Sequence, residues 1–430
     1  MSQPHSYNKI RRVLYAGVIL FIFSLNSYSY CAEEKFNIIL ISVDCLRPDH
    51  LGCYGYNKDT SPNIDRLADE GIIFSNAITA ASWTLPAQMS LFTSKYSTTH
   101  GVIADGLELD KSDIALAEIL KGHGFITAGF VSGPFMDSYF GFGRGFDLYD
   151  DYTIHYDTTI ASHRGISSPR LNEAVLNWLS QNYHSKFFIF IHYFDTHEEY
   201  IPPSPYKEML SDPYDGEIRF VDEHIGVLLN KLKELGVFKN SLIILTADHG
   251  DEFMEHSMTG HRHSLFQEVI RIPLIFKLPL INSAKKKLED YVSIIDIMPT
   301  ILDISNIPLP DNLEGVSLYP LIYNGTKINR SEIYAELFYS RIGINQISVI
   351  EKRYKLIYYL DHPEMEKLFD LFKDPGEKNN LLRYKSKKFK HIESRLFKKI
   401  GPRIKNAYKL IELKEASPGP TRYDLSLIHI

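Results

Sequence analysis

Three short runs constrain how this chain can fold. "NIILISVD" (residues 37–44), "FFIFIHYFD" (187–195) and "SLIILTADHGDEF" (241–253) are apolar almost without interruption, and each closes on acidic or histidine residues. A strand with one face in water alternates polar and apolar residues, so a run without alternation is a strand covered on both faces. Helix-like stretches at 170–180 and 222–235 precede the second and third runs. "SPNIDRLADEG" (61–71) opens a further helix with Ser61 before Pro62 and closes it at Gly71. Strands alternating with helices make an α/β domain with a largely parallel sheet. Ligands of such sheets sit beyond the carboxyl ends of the strands. Asp44, Asp195, Asp248 and His249 are therefore expected along one edge, although they are far apart in the chain.

The ends of the chain have a different texture. Lys9, Arg11 and Arg12 precede an apolar run at 13–25 and the small, polar "NSYSYCAEE", the pattern of a secretory signal over residues 1–32. Export to a periplasmic or extracellular space is the reading this favours; an uncleaved N-terminal anchor and lipid attachment at Cys31 are the weaker alternatives. After a catalytic domain at 33–325, "EIYAELF", "NQISVIEKRYKLIYYL" and "KLFDLF" read as short antiparallel strands, followed by the turn "KDPGEKNN", in a small subdomain at 326–382. The basic stretch 383–414 places Ile392, Leu396 and Ile400 on one helical face, which suits packing on the domain or peripheral contact with a membrane. The last residues, to 430, form a tail without a recognisable motif. A net charge of -6 gives no reason to expect nucleic acid as a partner. Cys45 and Cys53 are expected as buried free thiols, with a disulfide between them as the alternative.

The strand-end residues suggest a metal. Asp44, Asp248 and His249 form a divalent site, with Thr84 as a fourth ligand. An imidazole beside few carboxylates favours zinc or manganese over calcium, which prefers oxygen ligands. Thr84 lies in "SWTLPAQMSLFTS" (82–94), where Pro86 suits a first helical turn and the helix amides would face an anion. A cation lowers the pKa of a hydroxyl it binds, so Thr84 is a nucleophile candidate. The local sequence equally suits a threonine that only caps the helix.

"NIILISVDCLRPDHLGCYGY", "SPNIDRLADEGIIFSNAITAASWTLP", "LTADHGDEFMEHSMTGH" and "LFDLFKDPGEKNNL" follow one another from residue 37 to 382. Together they resemble the sulfatase family of the alkaline phosphatase superfamily. The resemblance implies an alkaline-phosphatase-like α/β core with a mostly parallel sheet, a small C-terminal antiparallel β-subdomain, and hydrolysis of a sulfate or phosphate-type ester with one divalent metal (manganese, zinc or calcium). The family's C-x-P-S-R or S-x-P-S-R, whose first residue becomes formylglycine, is matched by Thr84-Leu85-Pro86-Ala87-Gln88. Threonine cannot become that aldehyde, and Gln88 stands for the arginine. Cys45 replaces the second of two aspartates, His249 an asparagine and His261 a lysine, while the lysine-bearing G-K-W-H segment has no match in "AGFVSGPF".

These departures resemble the threonine-nucleophile branches of the superfamily, nucleotide pyrophosphatase/phosphodiesterases and phosphoethanolamine transferases. Thr84 is then the nucleophile, and His197 and His261 hold the transferred group or protonate the leaving oxygen. Asp195, His197 and His263 are candidates for a second metal, Arg47 for a cation supporting the acidic cluster, and His100, His192 and His256 for structural roles. A threonine sulfate has no carbonyl-forming exit, so the nucleophile suits phosphorus, as in a phosphodiester or phosphonate monoester. The substrate expected is a small-molecule, glycan or lipid ester. A transferase passing the group to a sugar or lipid acceptor, and an inert binding homologue, are the other classes this sequence leaves open.

Overall fold

The computed structural model describes residues 36–104, 106–151, 166–281, 286–339 and 343–416. The export segment, Cys31 and the tail beyond 416 lie outside the described residues. The three apolar runs form the centre of the main sheet as β1 (Asn37–Val43), β5 (Phe187–Tyr193) and β6 (Ser241–Ala247), with every residue buried. β1 pairs in parallel with β5 on one side and β6 on the other, in register from Ile38 opposite both Phe188 and Leu242. Outward from β5 come β3 (Ile126–Val131) and β4 (Leu148–Asp150), both parallel. Outward from β6 come β10 (Leu274–Lys277), β2 (Ile72–Ile78) and β11 (Lys286–Ser293). Only β10 and the short β9 (Arg271–Ile272), paired with β2, run against the rest of this sheet among the described strands. β7 (Glu252–Phe253) and β8 (Thr259–Gly260) make a separate hairpin just after β6.

Helices α1 (Pro62–Asp69), α2 (Thr84–Thr93), α3 (Ser168–Asn182) and α4 (Pro213–Glu234) accompany the main sheet. α2 is buried along its whole length, which explains its run of apolar and small residues. The C-terminal strands β12 (Glu332–Tyr339), β13 (Ile344–Glu351), β14 (Tyr354–Tyr359) and β15 (Lys367–Asp370) form an antiparallel meander in chain order. The basic segment is one helix, α5 (Lys387–Ala416), and its Ile392, Leu396 and Ile400 bury against Phe338, Ile347, Val349 and Leu368 of this meander. The apolar face read from the sequence is thus covered by the protein's own second sheet. No described helix is long and apolar enough to cross a membrane.

Glu336 of β12 fastens the second sheet to segments next to the main one. The Glu336 amide donates to the Ala80 carbonyl at 2.8 Å, only a few residues before Thr84. The Glu336 carboxylate, fully buried, accepts from Thr98 and from Arg403 of α5, and Arg403 also pairs with Glu314 at 2.7 Å. The guanidinium lies between the rings of Tyr96 and Tyr334, 4.1 and 4.2 Å from their centroids. Removing one partner of a buried pair strands the other charge, at a cost of about 3–5 kcal/mol. Arg403→Ala is therefore expected to lower the melting temperature by several degrees, whereas Lys409→Ala on the same helix leaves it unchanged. Thermal denaturation of the two variants checks this.

Candidate active site

The parallel register builds the site. Val43 lies opposite Ala247, so Asp44 and Asp248, the next residues of each strand, leave the sheet side by side. On the other flank Ser42 lies opposite His192. His192 Nε2 reaches 3.8 Å from Asp44 Oδ2 and 3.9 Å from Asp248 Oδ2. His249 Nε2 is 3.7 Å from Asp44 Oδ1 and 3.5 Å from Asp248 Oδ2. Gly250 follows His249 so close to the Glu268 carbonyl that a Cβ would meet it at 2.3 Å.

Thr84 begins α2 without capping it; Trp83 holds the cap position and makes no side-chain bond there. The hydroxyl points into the cluster instead, 3.5 Å from Asp44 Oδ2 and 3.4 Å from His249 Nε2. These separations are long for hydrogen bonds. They match the donor-to-donor edge of a tetrahedral ion site, about 3.4 Å for ligand bonds of about 2.1 Å. Asp248 Oδ2 and His192 Nε2 are buried without a hydrogen-bond partner, a state that costs free energy unless something fills the space between them. Burial and the neighbouring Asp248 charge push the Asp44 carboxyl well above the usual carboxylate range. The donor set of Asp44, Asp248, His249, His192 and Thr84 fits a divalent metal.

A second group of side chains borders this cluster. His261 Nδ1 is bonded to Asp251 Oδ1 at 2.7 Å, and Tyr200 donates to the other oxygen of Asp251. That leaves His261 Nε2, buried and without a partner, on the far edge of the ring. His197 stacks on Phe194 at 4.7 Å and meets the His261 ring edge-on at 5.1 Å. Arg262 follows, with its backbone amide on the Ser82 carbonyl at 3.2 Å. Its guanidinium lies against Phe135, Trp83 and Tyr339, at 4.8, 5.7 and 5.8 Å from their centroids, and pairs with no carboxylate among the described residues. Its charge acts on Asp44 and His261.

Several sequence expectations need correcting. His192, expected to be structural, stands between the two carboxylates. Arg47 does not hold Asp44 or Asp248; it bonds the Asp251 carbonyl at 2.8 Å and pairs with Asp49 and Glu255, bracing the 251–255 turn. Asp195 accepts from the amides and hydroxyls of Ser167 and Ser168 at the start of α3. His263 is bonded to Glu252 at 3.2 Å. Neither Asp195 nor His263 joins a cluster of three or more metal-type ligands among the described residues, so the second set is not assembled. Gln88 donates to Ser42 Oγ at 2.7 Å within the core and supplies no cation. His100 is bonded to Ser90 of α2, and His256 is stacked on Phe266. Cys45 and Cys53 are both free and buried.

The sulfatase family model matches residues 36–307. The chain belongs to the sulfatase family. A second model, for the C-terminal part of N-sulphoglucosamine sulphohydrolase, matches residues 254–406. An arylsulfatase of Clostridium perfringens is 27% identical, over 81% of this chain and 90% of its own. A Delta 4,5-hexuronate-2-O-sulfatase of Bacteroides thetaiotaomicron is 24% identical, over 81% of this chain and 85% of its own. Among solved structures, the phosphonate monoester hydrolase of Agrobacterium radiobacter superposes with a TM-score of 0.73 at 20% identity, covering 87% of this chain and 96% of that one. A protein solved with its substrate D-glucosamine-2-N, 6-O-disulfate superposes with a TM-score of 0.71, also at 20% identity, over 86% and 98%. The alkaline-phosphatase-like fold and a sulfatase-type ester hydrolase follow from these likenesses.

Adding a divalent cation to chelator-treated protein is expected to raise the melting temperature, since a ligand at about 1,000 times its Kd stabilises by about 4 kcal/mol. In Asp248→Asn most of that rise is expected to disappear. Differential scanning fluorimetry of both proteins with and without metal reads it.

Proposed function

We propose that this sulfatase-family hydrolase is metal-dependent and uses Thr84 as its nucleophile, without formylglycine. The observation that carries this is the Thr84 hydroxyl, unused as a helix cap and seated at ligand-edge spacing from Asp44 and His249. When bound, the cation supplies a lowered pKa for the Thr84 hydroxyl and charge stabilisation at the ester oxygens. Asp44, Asp248, His249 and His192 hold the site. The Thr84 oxygen forms a bond to the central phosphorus or sulfur as the bond to the leaving alcohol breaks. His261 Nε2, aimed by the bond of Nδ1 to Asp251, takes the proton that Thr84 releases and passes it to the departing oxygen, and His197 beside it orients the ester. Arg262, boxed by aromatic rings with no carboxylate partner among the described residues, binds the oxyanion. Water then cleaves the threonine ester.

The threonine favours phosphorus over sulfur, because no carbonyl can re-form to expel sulfate. The solved phosphonate monoester hydrolases of the same fold lend support to that choice. The relative solved with a sulfated sugar supports a glycan ester as the substrate class.

The test is a panel of an aryl phosphonate, an aryl phosphodiester and an aryl sulfate, assayed with wild type and Thr84→Ala. Multiple turnovers of a phosphorus ester are expected, falling by at least about 10³-fold in Thr84→Ala, in the range of nucleophile removals. Arg262→Ala is expected to raise KM by about tenfold or more with a smaller change in kcat. Turnover retained in Thr84→Ala would exclude the nucleophile. Faster turnover of the sulfate, lost in the same variant, would reverse the preference for phosphorus.

A further inference from the structure

The basic helix α5 takes no part in the chemistry just described, and only one of its faces is accounted for. Ile392, Leu396, Ile400 and Ala407 are buried in the cluster formed with the meander, so the same face stays inward on both sides of Pro402. At about 3.6 residues per turn, Lys387, His391, Lys398, Lys405 and Lys409 fall on the opposite side, and all are exposed. They make one line along the helix, about 30 Å long at an α-helical rise. Glu412, at its C-terminal end, is the one carboxylate on that line among the described residues.

Ion pairing narrows this line. Of the cations flanking it, Lys390 pairs with Glu393 at 2.9 Å, Arg395 with Glu351 at 2.6 Å, and Lys399 and Arg403 with Glu332 and Glu336, each at 2.9 Å. Lys387, Lys398, Lys405 and Lys409 pair with no carboxylate among the described residues. A chain with a net charge of -6 thus carries a strip of uncompensated positive charge, a field that gathers anions in one place. A long, narrow strip matches a thread with charges repeated along it better than it matches a plane. Helices that lie on a bilayer sink an apolar face into it, and here that face is under the meander. Phe397, beside the strip, packs on Tyr358 at 5.2 Å, and the Tyr408 hydroxyl donates to the Leu360 carbonyl at 2.9 Å. α5 also rests on the segment that follows α2, where Arg403 donates to the Thr98 hydroxyl at 3.2 Å.

We propose that Lys387, Lys398, Lys405 and Lys409 of α5 form a docking strip for a polyanionic polysaccharide, a chain bearing sulfate or carboxylate groups, and so concentrate a polymeric substrate on the enzyme. This rests on the glycan-ester reading above. Docking makes and breaks no covalent bond. The lysines, as compact point charges, replace counterions condensed on the polymer, so affinity falls as salt rises.

The test measures binding of heparin and of polygalacturonate to the full chain by isothermal titration calorimetry at low and physiological salt, with dextran as the uncharged control. Wild type is expected to bind both polyanions, with affinity falling steeply as salt rises, and not dextran. A variant combining Lys387→Gln, Lys398→Gln, Lys405→Gln and Lys409→Gln is expected to bind heparin about tenfold more weakly, or worse. A second variant of the same net charge combines Lys111→Gln, Lys287→Gln, Lys327→Gln and Lys373→Gln, exposed lysines elsewhere, and is expected to bind as wild type does. Both variants are expected to keep the wild-type melting temperature, since every replaced side chain is exposed. No binding of either polyanion by wild type, or equal weakening in the two variants, would overturn the proposal. Tighter binding to phosphatidylglycerol vesicles than to either polysaccharide, lost in the α5 variant, would overturn it in favour of a lipid surface. Aryl ester turnover is expected to be unchanged in the α5 variant. Heparin binding is read without turnover, so failure of the strip and failure of the reading it rests on are separate results.

Discussion

Two carboxylates buried side by side are the constraint around which this protein is arranged. Asp44 and Asp248 end neighbouring parallel strands, in register, and neither is exposed to solvent. Like charges in such a place repel, and burial disfavours each of them. Everything close by lessens that cost: imidazoles of His192 and His249, amides of Cys45 and His249 directed at Asp248 Oδ1, and the more distant charge of Arg262. The buried strands behind them, paired in parallel register, hold the two carboxylates side by side.

What could be read from the sequence follows from the same geometry. The apolar runs announced their own burial and their own ends, so the parallel sheet and the convergence of Asp44, Asp248 and His249 were legible. The second sheet was legible from its alternation and turns. His192 was not: it lies inside an apolar strand, and only the register between β1 and β5 shows that it faces two carboxylates. Asp251 was in plain sight in "DHGDE", but its bond to His261 depends on the β7–β8 hairpin folding back, a local irregularity without a period. Arg262 escaped notice because Trp83, Phe135 and Tyr339, the rings that hold it, come from three distant segments. Asp195 misled for the opposite reason. A carboxylate at a strand end is also a good partner for the free amides at a helix start, and Ser167 and Ser168 occupy it.

The substitutions against the family pattern make sense as a group. A glutamine that bonds within the core, a histidine in place of a lysine and a thiol in place of a carboxylate each remove one formal charge. Arg262 brings an arginine back beside the site, packed among rings where its charge is weakly hydrated. Fewer fixed charges are consistent with the function proposed above, in which the ester centre would bear a single negative charge.

The contact between Glu336 and Ala80 has a consequence for how the protein is made. Thr84 leaves the ribosome early, but the strand that steadies its loop and the arginine that secures that strand come near the end of the chain. Such long-range pairing delays completion of the fold, because the intervening chain must close before it is rewarded. A nascent polypeptide interrupted between Arg262 and β12 would thus carry every reacting group and still lack the strand that steadies the loop before Thr84.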